Sequence, residues 1–428
     1  MRRIALVLAA CAAVTVHAQT PWNGRWEGRW EGSLELADGR MPFGLSIVEG
    51  GALLDLPGAE LFAYPSVLAQ ASPDAIRLSF AFGAGAMTMI GTLSLGRVDG
   101  QFRQGSGDDA PGGTFSMQRA AVQPDPKATF RFAGHDGVAL SGSLLVPADG
   151  EAGRSKPPLV IMHAGLGAAD RDGNNYNMPG RNDSLRLLAE ALAARGVATY
   201  RYDKRGAGVS SWLVPTEDDQ SIEAWIEDLE AASTALSGTG RWSGVWLLGL
   251  NDGAIVAAAA ANGLSRAGRP VAGIVVACAS ADGPLDAFMK AVAAAPEIIR
   301  AEGDAIIAGL LAGRRVESMS AFYSGAFRPG IQPYLIEAFK RDLEPELSML
   351  SVPALIAQGD MDMQVTLADF VALGTARPDA LTVIVPRMNH LLKDVSQDVE
   401  ENMASFSDPS YPVSAIFADA VAEFVASP

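Results

Sequence analysis

Short runs in which apolar and polar residues alternate occupy the first part of the chain. A two-residue period is typical of a β-strand with one buried face. The glycine-containing pairs that separate the runs and favour hairpin turns are Asp38-Gly39, Gly50-Gly51 and Asp99-Gly100. The pattern therefore predicts an all-β domain over residues 19–122, followed by a linker over residues 123–128 that begins with Gln-Pro-Asp-Pro.

Two tryptophans in this region lie in a small tandem duplication, Arg-Trp-Glu-Gly at residues 25–28 and again at residues 29–32. Trp26 and Trp30 would stack on a ligand if they were exposed. The alternative, which we favour, is that both close the end of a small barrel or sandwich as core residues.

The pattern changes at residue 129, where apolar strand-like runs begin to alternate with alanine-rich helical runs. Strands are predicted at residues 159–162, 197–202, 245–250, 271–277, 354–358 and 381–385. Helices are predicted at residues 183–194, 221–236 (with Ser221 as N-cap) and 254–261. This alternation predicts an α/β domain over residues 129–428, with a mostly parallel sheet covered by helices on both faces. A helical block at about 284–350 interrupts the alternation and is predicted to form a lid.

The first residues have the features of an export signal. A basic start, Met1-Arg2-Arg3, precedes an apolar stretch, and small residues lead up to Ala18. We expect cleavage after Ala18 and a periplasmic or secreted product. A lipid anchor on Cys11 is a less favoured alternative, because the apolar stretch before it is short.

Charge and composition exclude several classes of function. The chain has 428 residues, is 49% hydrophobic and has a net charge of −16. Such an acidic chain is a poor partner for nucleic acid or for anionic lipid. No apolar stretch beyond the signal is long enough to insert in a membrane. Without the signal peptide, Cys278 is the single cysteine and is predicted to be buried in a strand.

The strongest chemical signal is the segment Trp246–Gly253, where a buried strand runs into a turn flanked by Gly249 and Gly253 and then into a helix. This is the setting of a nucleophile elbow, in which Gly-x-Ser-x-Gly exposes a serine at the carboxyl end of a strand. In this chain the apex residue is Asn251.

Two further residues are candidates for the acid and the base of a catalytic triad. Asp362 follows one predicted strand and His390 follows the next, so that elbow, acid and base occur in the chain order of an α/β-hydrolase triad. Each of these residues alone would be a weak signal. Asp360 is a second acid in the same segment.

The chain resembles secreted bacterial α/β-hydrolases of the serine-aminopeptidase-like group, which often carry a small N-terminal β domain. The matching motifs are DRDGN at 170–174, GRNDS at 180–184, YDKRG at 202–206 with Gly208 and Ser210, QPY at 332–334, GDMDMQV at 359–365 and NHL at 389–391. The resemblance implies an α/β-hydrolase fold with a helical lid and an ester or related acyl hydrolysis. It also implies His390 as the base and Asp362 as the triad acid, with Asp360 less favoured because the pattern places the carboxylate two residues before Gln364.

The chain departs from this group at two places. Asn251 replaces the nucleophilic serine, and Gly165-Leu166-Gly167 replaces Gly-Ser-Gly in the loop that supplies an oxyanion donor. A backbone N–H of Leu166 or Asp252 can still serve as donor, because that contribution does not depend on the side chain.

An amide is not a nucleophile, so three interpretations compete. In the first, which we favour, the protein is a pseudohydrolase that binds an acyl or ester-like ligand, or a partner, without turnover. In the second, Asp362 and His390 activate water, or another serine serves; Ser280 follows a strand but lacks flanking glycines. In the third, Asp252 attacks as a carboxylate, which requires the turn to shift by one residue.

Two charged motifs have simpler interpretations. The run Asp203-Lys204-Arg205-Gly206 would suit an anion site, but a local ion-pair network that fixes a loop is favoured. Asp170 and Asp172 have no histidine or third acid at ligand spacing, so no metal site is predicted. Since no Gly-x-Gly-x-x-Gly or Walker motif is present, no cofactor is predicted, and the oligomeric state is left open.

Overall fold

The computed structural model describes most of the chain beyond residue 25. The described residues are 26, 28–36, 39–48, 51–56, 61–82, 85–105, 110–119, 129–151, 156–165, 167, 169–175, 180–214 and 217–426. The predicted signal peptide (1–18), the predicted linker (123–128) and Leu166 lie outside these residues.

The N-terminal part is an antiparallel sheet. Within the described ranges its strands are β1 Gly28–Leu36, β2 Gly39–Val48, β3 Gly51–Leu56, β4 Leu61–Pro65, β5 Leu68–Ala71, β6 Ala75–Phe82, β7 Gly85–Ser94, β8 Arg97–Gln104 and β9 Gly112–Arg119. Their order in the sheet is β4-β3-β2-β1-β9-β8-β7-β6-β5. This sheet is separate from the sheet of the α/β part, as the sequence predicts.

Trp26 and Trp30 belong to the core of this sheet. Both side chains are buried, and their rings lie 5.7 Å apart. The indole N–H of Trp26 donates to the carbonyl oxygen of Ser72, and that of Trp30 donates to the carbonyl oxygen of Trp26. The two rings are therefore packing residues whose polar atoms are satisfied, and not a surface for ligand stacking.

One predicted turn in the β domain is wrong. Asp99-Gly100 lies inside β8, and the turn between β7 and β8 is formed by Leu95 and Gly96, both with positive φ. Gly100 serves a different purpose, because a Cβ there would lie 2.6 Å from the Phe115 ring and 2.2 Å from the Ile90 carbonyl oxygen. The glycine permits a close approach between strands, which local sequence does not distinguish from a turn.

The candidate site residues Asn251, Asp362 and His390 follow strands of the second sheet. Its strands in the described part of the chain are β10 Thr129–Ala133, β11 Ala139–Leu145, β12 Leu159–His163, β13 Ala198–Tyr202, β14 Val245–Leu250, β15 Gly273–Ala277, β16 Ala354–Gly359 and β17 Leu381–Val385. They are ordered β10-β11-β13-β12-β14-β15-β16-β17. β10 and β11 are antiparallel to their neighbours, and the strands from β13 to β17 are parallel. This is the predicted α/β-hydrolase fold.

Helices cover both faces of this sheet. The described helices are α1 Ala148–Glu151, α2 Ser184–Ala193, α3 Ile222–Ser237, α4 Gly253–Arg266, α5 Pro284–Ala293, α6 Glu297–Leu311, α7 Gln332–Ala338, α8 Leu343–Ser348, α9 Leu367–Ala376, α10 Val399–Ala404 and α11 Ala415–Ala426. Helices α3, α4, α8 and α9 contribute to the core on one face, and α2 and α11 contribute to the core on the other. None of the described helices combines the length and apolarity that crossing a membrane requires.

Local sequence explains the central elements. β14 is buried throughout because its residues are apolar apart from one glycine, as expected for a strand covered on both faces. The run of alanines in α4 is buried, which lets this helix pack closely on the sheet. Ser221 caps α3 as predicted, since its hydroxyl oxygen accepts the N–H of Ala224. Cys278 is buried as predicted, although it follows β15 and does not lie within the strand.

The helical block between β15 and β16 has two parts. Helices α5, α6 and α7 build an apolar cluster of their own, whereas α8 contributes Leu343 and Leu347 to the main core. Ion pairs connect the block to the region around the start of α3: Arg328 pairs with Glu217, and Arg341 pairs with Glu223.

A buried carboxylate on α3 gives a test of this packing. Asp228 accepts the N–H of His135 at 2.7 Å and the guanidinium of Arg205 at 2.7 Å. In Asp228→Ala, Arg205 is left as an uncompensated charge, so we expect a loss of about 3–5 kcal/mol of unfolding free energy.

Urea denaturation checks this value, with Asp394→Ala as the control. The Asp394–Arg387 pair is exposed to solvent, so its loss is expected to change the unfolding free energy little. Equal losses in the two variants would contradict the account.

Candidate active site

The chain reverses at Asn251, between β14 and α4. Asn251 has a φ of 53°, in the left-handed region, where asparagine is more common than most residues. Its N–H donates to the carbonyl oxygen of Ala277, and its carbonyl oxygen accepts the N–H of Ala254. Asp252 already has helical angles, with φ −61° and ψ −17°. The apex of the turn is therefore Asn251, without a shift toward Asp252.

The two glycines of this turn are required by contact distance. A Cβ on Gly249 would lie 2.4 Å from the Cα of Ala254, and a Cβ on Gly253 would lie 2.7 Å from the carbonyl oxygens of His163 and Ala164. These are backbone atoms that cannot move aside independently. The glycines thus allow α4 to start directly against β14 and β12.

Asp362 and His390 form a hydrogen-bonded pair at the ends of β16 and β17. His390 Nδ1 lies 2.9 Å from one Asp362 carboxylate oxygen, and both side chains are buried. The carboxylate also accepts the backbone N–H groups of Gln364 and Val365. Burial acts to raise the pKa of Asp362, but these donors and the His390 ring outweigh it and hold the pKa below its usual range. The carboxylate is therefore kept ionised beside the ring.

The neighbours of this pair explain its rigidity. Asp360, the less favoured candidate, does not bond to His390; it accepts the N–H of Arg387. The Asn389 amide donates to Asn402 and Ser405, and its oxygen accepts the N–H groups of Leu391 and Lys393. These bonds fix the backbone on both sides of His390.

The elbow is joined to the loop that carries His390 through Cys278, which follows the Asn251 partner Ala277 and whose Sγ donates to the carbonyl oxygen of Asn389. It also adjoins the loop after β12. The charges of His390 and Lys204 lower the pKa of Asp252, although burial, the larger effect, leaves it above its usual range. A Cβ on Gly165 would lie 3.6 Å from the Cβ of Asn251. Among the described residues, the backbone N–H of Asp252 donates to no acceptor. Within that part of the chain nothing competes with an incoming oxygen for this N–H, whereas the predicted donor Leu166 lies outside the described residues.

One residue of the site was not predicted. Asp203 and Arg205 are in ion pairs, with Arg171 and Asp228, which confirms the local network expected for them. Lys204 between them differs, because its ammonium donates to the carbonyl oxygen of Gly165 beside the elbow. Burial lowers the pKa of Lys204 to about 7. Sequence shows three charged residues in a row but not which of them turns toward the elbow.

Part of the chain matches the sequence profile of a known protein family. Residues 181–392 match the sequence profile of the family described as "Serine aminopeptidase, S33". The matched segment contains Asn251, Asp362 and His390. A search of curated proteins gives no match.

Solved structures of hydrolases and esterases are similar to the chain at low identity. Est1E from Butyrivibrio proteoclasticus with bound ferulic acid is 17% identical, with a TM-score of 0.45 over 68% of this chain and 96% of that one. A hydrolase from Pseudomonas aeruginosa PA01 is 22% identical, with a TM-score of 0.41 over 70% and 98%. A malate-bound thermophilic esterase from Thermogutta terrifontis is 19% identical, with a TM-score of 0.42 over 70% and 98%.

The elbow geometry predicts the effect of a single methyl group. Gly249→Ala forces backbone against backbone at the start of α4, so we expect a loss of about 1–3 kcal/mol of unfolding free energy. Urea denaturation measures it, and Gly325→Ala is the control, since no atom lies within 4 Å of a Cβ there. If Gly249→Ala were as stable as the control, the close contact would not exist.

Proposed function

We propose that this protein of α/β-hydrolase fold, whose residues 181–392 match the profile of the family described as serine aminopeptidase S33, binds an acyl or ester-like ligand at the elbow without forming an acyl-enzyme. The observation that carries the proposal is Asn251 at the apex of the turn, where the fold requires a nucleophile for covalent catalysis. The ligand is a small molecule. We expect the protein to act after export, outside the cytoplasm.

The chemistry of the amide supports the loss of the covalent step. The nitrogen lone pair of Asn251 is delocalised into its carbonyl, and the side chain has no hydroxyl proton for His390 to accept. In a serine hydrolase, loss of the nucleophile lowers kcat by about 10⁶-fold. The elbow of this chain keeps the backbone geometry while the bond-forming atom is missing.

The remaining groups support binding of a carbonyl compound. The N–H of Asp252, which has no acceptor among the described residues, lies at the start of α4, where the helix dipole favours a partial negative charge. The His390–Asp362 pair is next to Asn389, whose carbonyl oxygen accepts the thiol of Cys278 beside this turn. A ligand carbonyl oxygen that accepts the Asp252 N–H is bound as the carbonyl oxygen of an ester is bound in an ester hydrolase.

A second candidate is an active hydrolase in which His390 deprotonates a water molecule. The hydrogen bond that His390 Nδ1 donates to the Asp362 carboxylate favours it, because this bond orients the ring for a base. Other nucleophiles have less support. The Ser280 hydroxyl is engaged with Asp369, and Asp252 has helical angles beside the apex.

Restoring the hydroxyl tests the proposal. Asn251→Ser places a nucleophile beside an intact acid–base pair, so hydrolysis of short p-nitrophenyl esters should rise by about 10³-fold or more over the parent. Steady-state kinetics on both proteins measure it, with Asn251→Ala as the matched variant that lacks a hydroxyl. The gain should disappear when His390→Ala is added to Asn251→Ser.

Three outcomes separate the alternatives. Rapid turnover by the parent that is abolished by His390→Ala would support water activation and contradict the proposal. An inert Asn251→Ser variant would contradict the assumption that the rest of the site is competent. A thermal shift of the parent with non-hydrolysable acyl amides supports binding, and no shift with any acyl compound would contradict it.

A further inference from the structure

The strand β17 is at one edge of the α/β sheet, and β16 is its only neighbour among the described strands. The carbonyl oxygen of Val385 accepts the N–H of Asp360, at the end of β16, so the backbone groups of Val385 point into the sheet. Successive residues of a strand point these groups to opposite sides, so those of Thr382 and Ile384 point away from β16. Both residues are exposed. β17 therefore presents an open edge with which a further strand can pair.

An exposed apolar surface adjoins this open edge. Thr382 faces α9, because a Cβ on Gly374 would lie 3.5 Å from the Thr382 methyl carbon, and Ile384, two residues further along β17, faces the same way. Leu367 and Val371 are on the same face of α9 as Gly374. The side chains of Ile384, Leu367 and Val371 are all exposed. Contiguous apolar side chains of this kind are typical of an interaction surface.

The composition of α9 also favours an interface. Asp369 is the single charged residue of this ten-residue helix, and its carboxylate is engaged in the cap at Thr366. A surface helix normally presents charged residues to water, whereas a helix that is apolar on most sides is usually covered by another element. In α9 the one fully buried residue is Leu373. The helix is thus less covered than its sequence predicts.

The charges that flank β17 favour a second copy of this chain as the partner. Asp379 precedes the strand and Arg387 follows it, and both side chains are exposed. In an antiparallel pair of β17 strands centred on Val383, residues equally far before and after Val383 face each other, so Asp379 of each copy comes opposite Arg387 of the other. Their present partners, Arg377 and Asp394, form surface pairs, which are weak. The edge is therefore complementary to itself in shape and in charge.

We propose that β17 pairs with β17 of a second copy of this chain, so that the α/β sheet continues through a two-fold axis beside Val383. In this register Thr382 and Ile384 of the other copy exchange N–H to C=O hydrogen bonds, and symmetry repeats the exchange. Because the axis is perpendicular to the sheet, the α9 helices of the two copies lie on the same face, where Leu367 and Val371 come together. The inference does not depend on Asn251 or on turnover.

Sedimentation equilibrium tests for the dimer and for the surface that forms it. The parent should have twice the mass of one chain, and Ile384→Lys should raise the dissociation constant about 10-fold or more, because a charged side chain opposes pairing at a strand edge. The matched control is Ile298→Lys, on an exposed residue of α6, which should leave the constant unchanged. A parent that is monomeric at every concentration would overturn the proposal.

Exchange of the flanking charges tests the register. Asp379→Lys and Arg387→Glu should each weaken the dimer, because each places like charges opposite one another across the axis. The double variant should recover affinity, since opposite charges then face each other again. It restores neither the pair with Arg377 nor the pair with Asp394, so recovery reports a contact between copies. A double variant that binds no better than the single variants would contradict this register.

A cysteine at the axis gives a covalent readout. Val383 would face itself in a non-hydrogen-bonded pair, with about 4.5 Å between the two Cα atoms, which is within the range of a disulfide. In a Cys11→Ser background, where the remaining Cys278 is buried, mild oxidation of Val383→Cys should give a dimer on non-reducing electrophoresis. Thr382→Cys is the matched control, because its counterpart in the other copy is offset along the strand.

The outcomes of the cysteine experiment are distinct. A disulfide that forms with Val383→Cys and not with Thr382→Cys supports the proposed axis. If the parent is a dimer but Val383→Cys does not cross-link, or if both variants cross-link equally, the copies meet through another surface or register and the proposal is overturned. Circular dichroism of each variant confirms that a lost dimer is not a lost fold.

Discussion

The backbone reversal at Asn251 is the constraint on which the other features of the site depend. It is possible because the residue accepts a φ of 53° and because Gly249 and Gly253 leave room for backbone contacts that any Cβ would prevent. It starts α4 directly at the end of a buried strand, beside the loop after β12 and the loop that carries His390. Nothing in this geometry requires a hydroxyl at the apex. The fold can therefore retain an elbow after the nucleophile is gone.

The charged side chains of Asp362 and Lys204 near the elbow are buried. Asp362 is kept ionised by His390 and two backbone N–H groups, while the Lys204 ammonium has a carbonyl oxygen and an aromatic ring as neighbours. Such groups cost stability unless they are fully paired. Sites that orient a ligand often carry this cost, because preorganised charges and dipoles act strongly where water is excluded.

The architecture could be predicted because each strand is a short apolar run in the sequence. The acid–base pair could be predicted because its residues follow the elbow in a fixed order along the chain. The buried strand Val245–Leu250 is such a run. The acid and the base each follow one of two neighbouring parallel strands, β16 and β17. The turn assigned to Asp99-Gly100 failed, because that glycine is needed for a contact with the Phe115 ring on the neighbouring strand β9. Lys204 was missed for the same reason, since its partner Gly165 lies 39 residues earlier. Long-range contacts of this kind leave no periodic signal.

The central claim is that the acyl site is intact but cannot form a covalent intermediate. Intact-protein mass spectrometry after exposure to a fluorophosphonate tests it most directly, because the probe reacts with activated nucleophiles regardless of the natural ligand. We predict no adduct on the parent and one adduct on Asn251→Ser, located by peptide mapping at position 251. A stoichiometric adduct on the parent, at any residue lining the elbow, would contradict the account.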